Sequence, residues 1–235
     1  MTPRPTRAPR TAAIAAATAL AEVPTELLAP PATRDERKLR TRRKLLDAAL
    51  ARVSGDQGFG DLSLREVTRD AGVSPAAFYR HFPDMEALGL ALVEEAFATL
   101  RDLMREARDA PLPTTHLVRR SVDTFLDYVE EHPLHFRFIA KERYGGSTTL
   151  RFAIRAEIRQ WISELATDLA RFPALGAVST PDLQLVAGLV VQGVINATEL
   201  TLDLPPADDR GRAAVRVQAE RELRLVFVGA AAWRS

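Results

Sequence analysis

The chain has 235 residues, enough for one large or two small domains with a substantial buried core. Its 32 basic and 31 acidic residues leave a formal net charge of +1, which excludes a global field for a polyanion, so any nucleic-acid surface must come from local clustering. There is no cysteine, which excludes a disulfide scaffold and a thiolate zinc site and fits a reducing, cytoplasmic setting.

Residues 1–33 are rich in Ala, Pro, Thr and Arg. Arg4, Arg7 and Arg10 precede a stretch from Ala12 to Ala21, the order of a secretory signal, but that stretch is mostly alanine and a cation-rich segment follows. The segment is expected to be a flexible tail. No later segment offers ~18 consecutive apolar residues, so no membrane span is expected.

From Arg34 the pattern is helical. Leu45, Leu46, Ala49, Leu50 and Val53 recur on one face, and "SGDQGFG" then interrupts with three glycines. Over the start of this helix Arg34, Arg37, Lys38, Arg40, Arg42, Arg43 and Lys44 sit among only two acids, Asp35 and Glu36, a local basic patch that the net charge hides. Ser63 with Glu66 forms a capping box that opens a second helix, which stops at Gly72. Ser74 followed by Pro75 is the expected cap and first residue of a third.

On a helical wheel through Ser74–Phe82, Phe78 and Phe82 share the buried face. Arg80 and Ala76 lie opposite, with Ala77 beside them and Tyr79 and His81 on the flanks. A face that is small at its start and cationic toward its end suits a DNA major groove. Alanines permit close approach, an arginine can grip guanine with two hydrogen bonds, and Tyr and His can anchor phosphates. Taken singly, each of these residues reads as ordinary surface. Two capped helices joined by a glycine turn, with a Phe stripe beneath and a basic run beside them, point to DNA binding.

Asp84 caps a fourth helix running to about Asp109, before Pro111 and Pro113. Further helical segments follow at Thr115–Glu131, Pro133–Arg143, Thr148–Arg171, Pro181–Asp203 and Asp208–Trp233. No strand-like alternation of useful length occurs, so the fold class is all-α, with residues 34–83 expected as a helix-turn-helix domain and 84–235 as a helical regulatory and dimerisation domain.

In that second half, Phe97, Leu100, Met104, Phe125, Leu126, Val129, Phe136, Ile139, Trp161 and Leu165 can line an apolar tunnel, as ligand pockets often are. The simpler reading has most of them filling the core. His132 and His135 lack a third metal ligand, and no metal or cofactor is expected. Gly188 and Gly193 beside Val190 and Val194, with Leu223, Val226 and Phe227 on the last helix, look like one half of a four-helix interface between two copies. No P-loop, nucleophile elbow, zinc-binding HExxH or dinucleotide glycine fingerprint occurs, so an enzyme is not expected. A helical protein–protein adaptor without DNA binding is the remaining alternative class.

The stretch from Thr41 to Val93, with "LSLREVTRDAGVSPAAFYRHFPDMEAL" at its centre, resembles the DNA-binding domain of the TetR family of one-component regulators. The resemblance implies an all-helical homodimer bound to a palindromic double-stranded operator. It places DNA contacts at Arg65, at Ser74, Pro75, Ala76, Ala77, Tyr79, Arg80 and His81, and at Thr41, Arg42 and Arg43. Where the family commonly has Lys at the start of its fourth helix, this chain has Met85. The later "HPLHFRFIAKERYGGSTTLRFAIRAEIRQWISEL" resembles the FabR-like and DesT-like repressors of fatty-acid biosynthesis and desaturation. That likeness implies a long-chain acyl-CoA or acyl-carrier protein as effector, the alternative being drugs or other apolar small molecules.

Overall fold

The computed structural model describes residues 33–53, 57–109 and 117–233, apart from the side chains of Thr99 and residues 102–109. The tail expected over residues 1–33 (Thr33 apart), Pro111, Pro113 and the Met104 side chain therefore lie outside the described residues. Within them are nine α-helices and no strand: α1 Arg34–Val53, α2 Leu64–Asp70, α3 Pro75–Tyr79, α4 Met85–Asp109, α5 Leu117–Glu131, α6 Pro133–Glu142, α7 Thr148–Leu169, α8 Thr180–Asp203 and α9 Asp209–Ala232.

The chain divides into two units, Met1–Arg40 and Thr41–Ser235. In the first, the described residues open α1 with a reciprocal cap. Thr33 Oγ1 accepts from the Glu36 N–H at 3.2 Å, and Glu36 Oε2 accepts from the Thr33 N–H at 2.6 Å. This satisfies two donors that a helix start leaves unpaired.

The second unit holds the core. The apolar face of α1 (Leu45, Leu46, Ala49, Leu50, Val53) meets Val67 of α2, Phe78 and Phe82, all buried. The same cluster continues through Leu88, Leu92 and Phe97 of α4 into Phe138 of α6 and Leu150 and Ile154 of α7. The helices before and after Asp84 thus share one packed cluster. A second cluster joins α5 to α8 and α9 through Phe125, Leu126, Val129, Val190 and Leu223, and a third closes α7 on α8 around Leu169, Leu183 and Ala187. By length and composition alone α8 could cross a membrane. Part of its apolar surface packs against α7 and α9, with Leu183, Val186, Ala187, Val190 and Val191 buried.

Ion pairs fix the helices azimuthally. Arg216 of α9 reaches Asp127 at 2.8 Å and Glu130 at 2.7 Å on α5 and donates to the Asp123 carbonyl at 3.0 Å. Glu95 of α4 collects Arg43 of α1 and His135 of α6, the His135 Nε2 standing 3.6 Å from its Oε1. The His135 imidazole foremost, then the Arg43 charge, hold the Glu95 carboxyl below its ordinary value against the opposing effect of partial burial. A depressed folded-state value stabilises the fold where the carboxylate is ionised in both states. That contribution should be complete above about pH 5 and fade as pH falls through the ordinary glutamate value of about 4.3. Urea midpoints measured from neutral to acid pH should therefore decline less in Glu95→Gln than in the native chain. Equal declines would show that this carboxylate does not carry the acid sensitivity.

Candidate nucleic-acid interface

The reading head is two short capped helices. The Ser63 side chain accepts from the Glu66 N–H while the Glu66 side chain accepts from the Ser63 N–H, completing the expected capping box of α2. Buried Thr68 returns its hydroxyl to the Leu64 carbonyl at 2.9 Å. At the turn Gly72 takes φ +65°, the single positive φ among the described residues, which costs glycine little and strains a residue with a Cβ. The Val73 N–H then closes back on the Thr68 carbonyl at 2.9 Å. Ser74 Oγ accepts from the Ala77 N–H at 3.2 Å and Pro75 occupies the first turn, so α3 begins as the sequence predicts.

α3 as an α-helix ends at Tyr79, shorter than the wheel drawn to Phe82. The helical turn nonetheless persists, with the His81 and Phe82 N–H groups donating to the Phe78 carbonyl at 2.8 and 3.0 Å. Phe78 and Phe82 are therefore buried, while Ser74, Pro75, Ala76 and Arg80 face outward and Ala77 and His81 are half-buried. Tyr79 is 60% exposed with its ring edge-on to Phe78 at 5.6 Å, leaving its hydroxyl end free of the core. Arg65 is exposed near the start of α2. Arg52 of α1 holds α2 from behind, bonding Asp70 at 2.5 Å and Glu66 at 3.0 Å. The Arg52 hydrogen bond, chiefly, lowers the Asp70 carboxyl.

The basic positions of α1 are differently placed. Arg42 lies with its guanidinium 4.6 Å from the Phe82 ring centre, a cation–π contact that covers the stripe, and Arg43 is engaged by Glu95 and by Asp47 at 2.9 Å. Neither is a loose surface cation, and Thr41 is half-buried. Met85, which stands where the resemblance expects a phosphate-binding Lys, packs half-buried against the first core cluster. Asp84 caps α4 by accepting from the Ala87 N–H at 2.7 Å, so the helix after the head starts as the sequence predicts.

The tunnel candidates are distributed over packed clusters. Phe97 meets Trp161 edge-on at 5.6 Å, and Phe136 meets Phe125 at 5.9 Å. Leu100, Leu126 and Val129 are buried in the second cluster, Leu165 packs on its edge, and Ile139 packs against the first. A groove of about 610 Å³ instead lies on the outer face of α9, along Ala213, Val217, Gln218, Arg221 and Leu225. The ring of His132 lies 4.4 Å from that of Tyr128, and His135 serves Glu95.

The interface candidates lie along the contact between α8 and α9. Val190 and Leu223 are buried within the subunit, a Cβ at Gly193 would lie 3.4 Å from the Leu223 Cδ2, and Val194, Val226 and Phe227 pack against the subunit's own clusters. These residues seal α8 to α9. Gly188 has open space before it. The apolar side chains turned outward are Leu185, Leu189 and Leu200 of α8 and Val217, Leu225 and Val228 of α9, one step around each helix. The period identified an apolar helix pair, but α8 is apolar nearly all round, so period alone did not choose the face.

A capped helix pair over a shared core, on a chain of α-helices, matches two family models: "Bacterial regulatory proteins, tetR family" over residues 45–92 and "Tetracyclin repressor-like, C-terminal domain" over 113–226. The chain belongs to the TetR family. It is an all-helical DNA-binding transcriptional regulator with a helix-turn-helix. Solved structures share the fold. A SmeT–triclosan complex matches at 18% identity and TM-score 0.64, covering 80% of this chain and 90% of that one. FadR from Bacillus subtilis with stearoyl-CoA matches at 14% and 0.63, covering 80% and 98%. A TetR-like transcriptional regulator from Rhodococcus sp. RHA1 matches at 17% and 0.60, covering 87% and 100%. At the family level, TetR proteins are DNA-binding regulators, which supports the reading of this chain as a regulator.

Outward placement of Arg65 and Arg80 on consecutive helices generates a prediction about base reading. A two-bond grip on guanine is worth about 1–3 kcal/mol of discrimination. Arg65→Ala and Arg80→Ala should each relax preference at one base pair per half-site in a binding-site selection. Tyr79→Phe should lower affinity with the preferred sequence unchanged, since a phosphate contact carries no base information. Unaltered sequence preferences in both arginine variants would refute the assignment.

Proposed function

We propose that the protein is a cytoplasmic repressor that binds a pseudo-palindromic operator as a homodimer and is controlled by long-chain acyl thioesters. The exposed face of α3, with Arg80 and Tyr79 outward over a buried Phe78, is the observation that carries the operator reading. Two such heads related by a two-fold axis favour half-sites about one helical turn apart.

The dimer reading is supported by the outward apolar side chains of α8 and α9. Solvent-facing Leu185, Leu189, Leu225 and Val228 on two adjacent helices form an apolar patch of the kind that marks an interface. Leu189→Asp with Leu225→Asp should yield a folded monomer in sedimentation and abolish operator binding together with dimerisation. A monomer that still binds the full site tightly would separate the two properties.

Acyl-thioester control is supported by the resemblance to fatty-acid regulators and by the stearoyl-CoA that the FadR neighbour holds. The triclosan held by the SmeT neighbour favours the alternative, an apolar drug-like effector. In either case a ligand acts only through its differential affinity for two conformations. Phe97 packs edge-on against Trp161 and Phe125 against Phe136, so a chain entering between either pair must part it. Each buried methylene supplies roughly 0.8 kcal/mol, and a tenfold change in operator affinity needs about 1.4 kcal/mol. Stearoyl-CoA should therefore shift operator affinity at least tenfold, while free CoA and acetyl-CoA leave it unchanged. If no chain length has an effect and triclosan does, the drug-type reading replaces this one.

A further inference from the structure

A glutamate is seldom buried without a full set of donors. Glu142, the last residue of α6, is 1% exposed. Its Oε1 accepts the Phe59 N–H at 2.8 Å, while its Oε2 is buried with no hydrogen-bond partner among the described residues. The preceding residue acts on the same loop, since Lys141 Nζ donates to the Gln57 carbonyl at 2.9 Å. Consecutive side chains of α6 thus take an N–H and a C=O from residues 57–59, which connect α1 to α2. Phe138, one turn earlier on α6, meets the Phe59 ring edge-on at 6.3 Å.

The lock has little room. A Cβ at Gly145 would lie 2.9 Å from the Glu142 Cδ and closer still to Oε2, so a side chain there would displace the carboxylate from its seat. The Gly145–Gly146 turn is itself held by Arg151 of α7, which donates to the two carbonyls at 2.5 and 3.1 Å. None of these groups is among the outward side chains of α2 and α3, so they can affect DNA reading only through the loop that carries α2.

We propose that Glu142 is a positioning residue for DNA reading: by gripping the Phe59 N–H it sets the loop at residues 57–61, and with it the orientation of α2 and α3 relative to the regulatory helices. The unpartnered oxygen makes the grip releasable. A buried carboxylate with one donor is poorly compensated, so the held and released arrangements lie close in free energy. A small displacement of the last turn of α6 is then enough to choose between them. The proposal rests on α2 and α3 being the operator-reading site.

The test uses the full-length chain and a duplex obtained by binding-site selection with the native protein. Glu142→Ala and Gly145→Ala should each weaken binding of that duplex about tenfold, within the usual range of a coupling between sites. The double variant should be no worse than either single one, because both open the same lock. Glu142→Gln keeps an acceptor oxygen for the Phe59 N–H and should stay close to native affinity. The dependence of affinity on salt should keep its slope in all variants, since no phosphate contact is lost. Amide exchange over residues 57–62 should rise in Glu142→Ala and Gly145→Ala but not in Glu142→Gln, with α8 and α9 unchanged. Native affinity in a folded Glu142→Ala, equal damage from Glu142→Gln, or additive losses in the double variant would each overturn the proposal. If Glu142→Ala does not fold, Gly145→Ala decides, because it displaces the carboxylate without removing it. A native protein that selects no duplex would overturn the operator reading itself and the proposal with it, whereas selection with unaffected variants removes the proposal alone.

Discussion

The Phe59 ring depends on an absence. At position 89 a Cβ would come within 2.7 Å of the ring Cζ and 2.9 Å of a Leu150 methyl, so the glycine of α4 is the notch that lets Phe59 reach Phe138 and Leu150. Without it the loop between α1 and α2 could not seat against α4, α6 and α7 at once. Everything functional hangs from that contact. α2 is capped directly beyond the loop, Phe78 of α3 and Phe82 just after it pack on the same cluster, and the outward face of α3 is whatever that packing leaves. A close-packed interior transmits such constraints because it cannot deform gradually. Orientation of the reading face is therefore a property of the shared cluster, not of the helix-turn-helix alone.

The parts of this design that were legible in the sequence are those with local causes. Ser63 with Glu66, Ser74 with Pro75, Gly72 and Asp84 announce helix ends through hydrogen bonds that need only neighbouring residues. The Phe78/Phe82 pair announces a buried face through spacing of four. Long-range partners carry no such signal. Nothing near Arg42 or Arg43 shows that the first will lie over Phe82 and the second will meet Glu95 fifty-two residues later. The same holds for Glu142, which reads as a charge on an ordinary helix until the fold brings Phe59 to it across eighty-three residues. For α8 the difficulty is the opposite one. Its apolar residues surround the helix, so the split between Val190 inside and Leu189 outside appears only once α7 and α9 are in place.

The charge distribution gains a second meaning from these contacts. With a net charge of +1, the chain has no long-range field to draw DNA in, and attraction depends on local cations. Two of the nearest, Arg42 and Arg43, are already occupied within the subunit. Intramolecular engagement lowers the entropy lost when such side chains meet a phosphate, because they are already ordered, but it also means that a phosphate must share or displace Glu95 and Asp47 at Arg43. Glu95 is thereby placed in competition with DNA for one cation, while its other neighbour, His135, belongs to α6.

α6 touches the head through His135 by way of Glu95, through Phe138 against Phe59, and through Lys141 and Glu142 at the loop. Ten residues of helix span these contacts. The His135 end is polar and partly buried, its pairing with Glu95 made beside Arg43. The Glu142 end is buried, close against Gly145 and half-satisfied, and it is here that the proposed seated and released arrangements would separate. A displacement originating among the aromatic contacts of α5, α6 and α7 would be converted into a discrete change at that end. Discreteness is what a regulator needs, because a ligand's binding energy alters operator affinity only by shifting a population between separate conformations.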